Sequence, residues 1–398
     1  MTTQQQAITD KPVVVATCLA ILFISLFLQH DIDLKQSMLF LTGTALGLSL
    51  MYALFGFSGA WRLFIRERKS AGVRAQLLLL AFSSVLFFPV VAGFFPSLQV
   101  NAALGQVGIS VIIGAFIFGI GMQLGGGCGS GTLFTVGQGQ IDMLITLAFF
   151  IIGSTLGSFH LDWWLSLPNL GSISTIETFG WIPALITQLI LLFVLYRLVR
   201  LMEYKRQKSI EVLNKKSSYP TFSDRLVYGP WPLSWGIVAL VVLSFISLVI
   251  AGYPWSITFA FGLWGAKIWS ALGGDIASYS YWSSGYPEIA LNQSVLKDTT
   301  SVMNFGIILG ATLSAAIAGK YAPAMTINRQ RVITAIVGGL LLGYGARLAF
   351  GCNIGAMLGG IVSGSMHGWL WLVAAFTGSM LGVKIRLWAQ IDKPLGAQ

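Results

Sequence analysis

Ten long, predominantly apolar stretches divide this sequence, and they constrain its fold more than any other feature. A helix needs about 20 such residues to cross the hydrocarbon core of a bilayer. The candidate spans are residues 12–29, 38–57, 75–96, 106–124, 141–159, 177–196, 234–252, 301–319, 332–346 and 363–383. Only 10% of the residues are charged, whereas soluble domains carry about a quarter. We therefore predict an all-α polytopic membrane protein with about ten transmembrane helices and a shorter, re-entrant segment at 256–266.

The distribution of Lys and Arg predicts how the chain is threaded. If the spans alternate from a cytoplasmic N-terminus, 20 of the 24 basic side chains fall on the cytoplasmic side. The four exceptions are Lys35, Lys267, Lys297 and Arg347. This positive-inside bias predicts a multi-pass protein with both termini in the cytoplasm. The net charge of +10 follows from the same bias, so membrane lipid is a predicted partner and nucleic acid is not.

The sequence also contains a long internal repeat. The motifs "GGGCGSG" at 125–131 and "GCNIG" at 351–355 align without a gap when the chain is shifted by 224 residues. The same shift matches Gly114 with Gly338, Gly119 with Gly343, Gly121 with Gly345, Leu124 with Leu348, Gly127 with Gly351 and Gly131 with Gly355. A looser pair, "FGFSGAW" and "FGLWGAK", lies at 55–61 and 261–267. So many matches are hard to explain by composition.

The repeat divides the chain into a first half at 1–200, a basic cytoplasmic linker at 201–224 and a second half at 225–398. In the predicted threading, span 106–124 runs inward before the first cysteine motif, and span 332–346 runs outward before the second. The halves are therefore predicted to be inverted repeats, an architecture in which transporters hold their substrate where the repeats meet.

Each cysteine motif breaks or ends an apolar helix. Irregular backbone at membrane depth is tolerated only where it is buried in protein or lines a wet cavity. Two breaks that enter from opposite sides meet near the centre, where their free N–H groups can face an anion. We predict that Cys128 and Cys352 line this constriction as part of two re-entrant Gly-Cys loops. The other candidate lining residues are Gly126, Gly127, Gly129, Ser130, Gly351, Asn353, Gln123 and Arg347.

Other residues have simpler interpretations. Arg347 either has a buried functional partner or extends to the outer interface, and the sequence favours neither. Cys18 has no counterpart in the repeat, so we interpret it as a small packing residue. Four tryptophans are interpreted as members of an aromatic belt at the membrane surface. They are Trp163, Trp164, Trp369 and Trp371.

The sequence argues against an enzyme. It has no evident nucleophile–base pair, nucleotide-binding fingerprint or zinc-ligand spacing, so no catalytic residue, cofactor or metal is predicted. It also has no Asp or Glu deep inside a span, which weakens any mechanism that couples transport to protons. A transporter without a cofactor is the interpretation that remains.

The two cysteine motifs and the paired halves resemble the YeeE/YedE family of sulfur-compound transporters. The resemblance covers nearly the whole chain and implies a protein of the bacterial inner membrane with an hourglass fold. It also implies that central cysteines relay an anion through a narrow neck, and Cys128 and Cys352 match two of them. The thiosulfate-transporting members carry a third cysteine where this chain has "FGFSGAWR", with Phe57 and Ser58 and no thiol.

The predicted function is therefore import of a small inorganic sulfur anion, thiosulfate, through a cysteine-lined constriction. A transporter of a selenium species is the main alternative, because the longer, YedE-like subgroup of the family is associated with selenium metabolism. A membrane sulfurtransferase or redox protein that uses the two cysteines covalently is an alternative of a different class. The resemblance further implies a small cytoplasmic sulfur-carrier protein as a partner.

Overall fold

The protein is an all-α membrane protein with ten candidate spans. Its computed structural model describes residues 9–214, 221–323 and 329–392. Within these residues, ten helical segments are long and apolar enough to cross a bilayer, and each coincides with one of the stretches predicted from the sequence. The fold class and the number of spans are therefore confirmed.

The helices follow the apolar stretches and are separated by short turns. In the first part of the chain they are α1 (Lys11–Asp31), α2 (Leu34–Ala53), α3 (Phe57–Glu67), α4 (Ala71–Val91), α5 (Ile109–Leu124), α6 (Gly129–Gly137), α7 (Ile141–Phe159), α8 (Leu161–Ser166), α9 (Thr175–Phe179) and α10 (Trp181–Gln207). The second part contains α11 (Phe222–Tyr228), α12 (Leu233–Ala251), α13 (Thr258–Ala271), α14 (Gly285–Asn292), α15 (Thr299–Ile317), α16 (Arg329–Leu348), α17 (Gly359–Val362) and α18 (Met366–Trp388).

Shorter elements complete the described chain. Two 3₁₀ turns cover Ser280–Trp282 and Val295–Lys297, and a π-helical turn covers Asn353–Leu358. The short strands β1 (Gln106–Gly108) and β2 (Asn169–Ser172) pair antiparallel. These two strands are the whole of the sheet in the described part, as an all-α prediction requires.

Helices at the centre pack with their backbones nearly in contact. α16 lies against α5 and α7, α18 lies along α5, and α2 lies along α15. A Cβ atom on Gly43 or Gly47 of α2 would overlap the backbone of Met303 or Ile307 on α15. Because lipid provides no hydrophobic force between helices, close packing at small residues is what stabilises such pairs.

The contacts between helices recur in pairs. α5 packs against α18, and α16 packs against α7 in the same way. α5 and α16 also contact each other. The short helix α6 contacts α7, as the turn after Cys352 contacts α18. This pairing is the one expected if α5 and α7 correspond to α16 and α18. The division into two inverted halves remains a prediction, because membrane sidedness is not defined by these contacts.

α1 and α10 lie at the edge of the bundle. Only 11% of the most apolar window of α1 and 17% of that of α10 is buried in the protein. α1 exposes large apolar side chains, among them Leu19, Leu22 and Phe23. Such a surface fits lipid and would be unfavourable in water.

Four details differ from the sequence analysis. Cys18 was interpreted as a packing residue, and this is wrong, because it is exposed on α1. α10 continues to Gln207, seven residues into the predicted linker, and residues 215–220 of that linker lie outside the described residues. Trp371 was predicted in an interfacial belt, and this is wrong: its side chain is fully buried. The looser repeat pair also occupies different positions in its two helices. α3 starts at Phe57, inside the copy at 55–61, whereas α13 starts at Thr258, before the copy at 261–267.

Candidate functional site

The first cysteine lies where the chain turns between α5 and α6. α5 ends at Leu124, and Gly126 then adopts a φ of +82°, a conformation that favours glycine. Cys128 is the residue before α6, and its sulfur accepts a hydrogen bond from the Gly131 N–H at 3.4 Å. The Ser130 hydroxyl lies 3.4 Å from the same sulfur. The thiol therefore caps the start of α6.

The second cysteine occupies the corresponding place after α16. Phe350 and Gly351 have φ values of +60° and +145°. Cys352 follows, and its sulfur accepts a hydrogen bond from the Ile354 N–H at 3.4 Å. Trp371 donates its indole N–H to the Gly351 carbonyl at 3.2 Å, which fixes the turn from the side of α18.

The glycine before each cysteine is required by the turn itself. A Cβ atom on Gly127 would lie 3.0 Å from the Thr132 nitrogen. A Cβ atom on Gly351 would lie 2.8 Å from the Ala356 nitrogen. In both loops, then, the backbone before the cysteine lies against the first turn of the following helix. This close approach explains why the motif repeats as Gly-Cys.

The two loops meet in the core of the protein. A Cβ atom placed on Gly129, the neighbour of Cys128, would lie 3.0 Å from the Cys352 sulfur and 3.4 Å from a methyl carbon of Ile257. Both thiols are fully buried and belong to the same core cluster. The sequence predicted that these segments would come together, and the geometry supports that prediction.

Two predicted lining residues are buried amides. Asn353 is fully buried, and neither its Nδ2 nor its Oδ1 has a hydrogen-bond partner among the described residues. Gln123 donates through Nε2 to the Ser58 carbonyl at 3.2 Å, whereas its Oε1 is buried without a partner in the same part of the chain. Ser58 also lies next to the first loop, because its hydroxyl donates to the Gly126 carbonyl at 3.5 Å.

Arg347 lies inside the protein. Its side chain is 9% exposed, so it does not extend to the outer interface. The guanidinium donates to the Tyr281 and Ser154 hydroxyls and lies over the Tyr281 ring. It also packs against Gly262 of α13, where a Cβ atom would overlap it. These contacts connect α16 to α7, α13 and the segment that follows α13.

A charged cluster that the sequence analysis missed lies at the end of α5. Arg386 donates to the Gln123 carbonyl at 2.7 Å and holds the Asp392 carboxylate at 2.8 and 3.0 Å. Arg66 pairs with the same carboxylate at 3.2 Å. The hydrogen bonds from Arg386 lower the pKa of Asp392 below its usual value. No local pattern relates Arg66 to Arg386, since α3 and α18 come together only in the fold.

A cavity of about 480 Å³ lies at the start of α3. Its wall is formed by the start of α3, by α4, and by residues within and after the predicted linker. The lining includes Gly56, Lys69, Gln76, Val212 and Trp231. Gln76 donates to the Gly56 carbonyl at 3.5 Å. The cavity therefore reaches the helix whose Ser58 contacts the Cys128 loop.

The chain resembles transporters over most of its length. The profile of a family described as sulphur transport matches residues 53–381. A protein named thiosulfate transporter TsuA from Spirochaeta thermophila is 27% identical over 344 residues, which are 83% of this chain and 92% of the relative. The thiosulfate transporter TsuA of Escherichia coli is 24% identical over 368 residues, 88% of this chain and 94% of the relative.

A third relative covers less of the chain. A protein named probable transporter YedE from Salmonella typhimurium is 31% identical over 170 residues, 43% of this chain and 41% of the relative. The family match, by contrast, includes both cysteine loops, seven of the ten candidate spans completely and most of the last span, Met366–Trp388. This multi-pass membrane protein therefore belongs to the sulphur transport family, the YeeE/YedE family that its motifs indicated.

Proposed function

We propose that this protein imports a small inorganic sulfur anion, with thiosulfate as its cargo, through a neck lined by Cys128 and Cys352. One observation carries the proposal: the residue next to one cysteine lies against the sulfur of the other. The names of the two relatives that align over most of the chain favour thiosulfate over a selenium species.

The chemistry of the two loops suits a soft anion. Each sulfur accepts a hydrogen bond from a backbone N–H of the next turn. Because that bond uses a lone pair, the S–H hydrogen of each thiol can point away from the helix and donate to an anion. At Cys128 this requires the Ser130 hydroxyl to donate to the sulfur. The start of α6 adds the positive end of a nine-residue helix. Thiols are weak donors, and weak binding permits release.

Passage of an anion requires the neck to open. Both thiols are fully buried against apolar neighbours, and a dianion cannot enter such a site without donors and space. Gly126, Gly127 and Gly351 are the positions where the loops turn, so we place the opening movement there. Gln123 and Arg347 are proposed to border the neck at its two ends, and Ser130 to lie beside the Cys128 thiol.

The threading forms part of the same proposal. The halves at 1–200 and 225–398 are inverted, the linker at 201–224 is cytoplasmic, and both termini face the cytoplasm of a bacterial inner membrane. The cavity near Gly56 then opens toward the cytoplasm. A cytoplasmic sulfur-carrier protein is the proposed receiver of the cargo, and lipid surrounds α1 and α10.

Uptake of labelled thiosulfate into proteoliposomes tests the neck. Cys128→Ala and Cys352→Ala each remove one donor, so we expect uptake to fall by about tenfold or more, equivalent to ~1.4 kcal/mol. Serine at either position retains a donor and should restore part of the uptake. Cys18→Ala is the matched control, because this thiol is exposed at the edge of the bundle, and it should leave uptake unchanged.

Two other results would change the interpretation. Equal, complete loss with serine and alanine, together with a persulfide on Cys128, would favour the covalent sulfurtransferase or redox alternative. Faster uptake of selenite than of thiosulfate would favour a selenium cargo. Undiminished uptake by both alanine variants would contradict a thiol-lined neck.

A further inference from the structure

Asn353 is unusual among the buried amides of this protein. Five other side-chain amides are buried in the described part of the chain, and each donates at least one hydrogen bond. They are Gln36, Gln76, Gln123, Gln188 and Asn304. Asn353 alone has both polar atoms buried and unpartnered. An amide left in this state is unfavourable, because it has lost its hydrogen bonds to water and gained none from the protein.

The repeat relates Asn353 to a residue at the contact between the two loops. Asn353 directly follows Cys352, and its counterpart in the repeat is Gly129. Gly129 lies against the sulfur of the opposite loop. The second loop therefore places a polar side chain at a position where the first loop has only backbone, and the site is asymmetric.

The chemistry of an amide suits one end of the cargo. Its Nδ2 carries two N–H donors and its Oδ1 is an acceptor. Oxygen atoms of an oxyanion accept hydrogen bonds well, whereas a terminal sulfur accepts them weakly. A neutral amide also polarises the site without adding a fixed positive charge. A fixed positive charge would hold a dianion too tightly for release.

We propose that Asn353 is the residue that recognises the oxygen atoms of the transported anion, and that the cargo is therefore a sulfur oxyanion. This inference rests on the proposed function and deepens it. The thiols contact the sulfur end and the Asn353 amide contacts the oxygen end, so the anion passes in one orientation. Asn353 is a specificity-determining residue, and oxygen-free soft anions do not use it.

The test compares Asn353→Leu with Asn304→Leu in the full-length protein in proteoliposomes. Leucine has the same branched shape and number of side-chain heavy atoms as asparagine, and no donor. Asn353→Leu should raise the KM for thiosulfate about tenfold, while inhibition of uptake by thiocyanate, a soft anion without oxygen, changes less than about twofold. Asn304→Leu is the matched control, since its Nδ2 donates to the Ile257 carbonyl at 2.9 Å, and its KM should stay within about twofold of the wild type.

Thermal unfolding of the purified variants without anion separates recognition from structural support. Asn353→Leu should melt above Asn304→Leu, because both variants add the same bulk to a buried site and only Asn304→Leu removes a hydrogen bond within the protein. Asn304→Leu should melt lower, because it leaves a carbonyl without its donor. If Asn353→Leu yields too little protein, Asn353→Ser, which keeps one hydroxyl donor, should show a smaller rise in KM.

Three results would overturn the inference. One is an unchanged thiosulfate KM in Asn353→Leu, and another is an equal weakening of thiocyanate inhibition, as expected if the amide only binds a water molecule. The third is a melting temperature lowered as in Asn304→Leu. Wild-type protein that takes up no thiosulfate would instead overturn the proposed function, and the role of Asn353 with it.

Discussion

At the scale of single residues, the site depends on positions that tolerate no side chain. Gly351 combines a φ of +145° with backbone packed where its Cβ would be. Its carbonyl also accepts the hydrogen bond from Trp371. The residue before it, Phe350, adopts a φ of +60°, which is rare for a bulky side chain. Two such residues in sequence indicate a turn that the surrounding fold holds in place.

We expect Gly351→Ala to destabilise the protein by about 2 kcal/mol or more, because it adds both backbone strain and overlap with Ala356. The melting temperature of purified protein in detergent measures the effect. Gly59→Ala is the matched control, because Gly59 lies in α3 with an ordinary φ and open space at its Cβ position. That control should be neutral or slightly stabilising. A Gly351→Ala variant as stable as the control would contradict this account of the loop.

At the scale of elements, glycine decides which helices form the centre. α2 and α15 approach each other through Gly43 and Gly47 on one side and Gly306 and Gly310 on the other. The same principle applies to α16, where Gly343 packs on the backbone of α7. The edge helices α1 and α10 instead expose large side chains. Small residues at the contacts therefore distinguish the central helices from the peripheral ones.

A methyl group at Gly47 should separate α2 from α15. The new Cβ would overlap the Ile307 backbone, and we expect Gly47→Ala to lower the unfolding free energy by about 1–3 kcal/mol. Leu41→Ala on the same helix is the control, because Leu41 is exposed at the surface of the bundle and should change stability by less than about 0.5 kcal/mol. Thermal melts of both variants provide the measurement. Equal melting temperatures would show that the contact can relax.

At the scale of the whole molecule, threading is set by charge. The basic residues around α3, α10 and the start of α16 lie on one side in the predicted topology. Lys208, at the end of α10, and Ser283, after α13, are both exposed and fall on opposite sides of that topology. The positive-inside rule assigns Lys208 to the cytoplasm.

Labelling of cysteines in whole cells tests this threading. In a Cys18→Ser background, Ser283→Cys should react with an impermeant maleimide in intact cells, and Lys208→Cys only after the cells are permeabilised. Cys128 and Cys352 are fully buried and should remain unlabelled, which provides the internal control. The reverse pattern of labelling would contradict the orientation and, with it, the direction of import.

The sequence by itself determined the membrane environment, the ten spans and the two cysteine loops. Hydropathy over about 20 residues is a local property, and a repeat can be seen by sliding the chain along itself. The tertiary structure decided the rest. It placed Trp371 beside Gly351 and not in the predicted belt. It buried Arg347 among hydroxyl groups and aromatic rings. It also joined Arg66 to Arg386 through Asp392. These outcomes depend on which helix faces contact one another. The choice of contacting faces depends on close packing between residues far apart in the sequence. Apolar helices in lipid therefore carry little local signal for it.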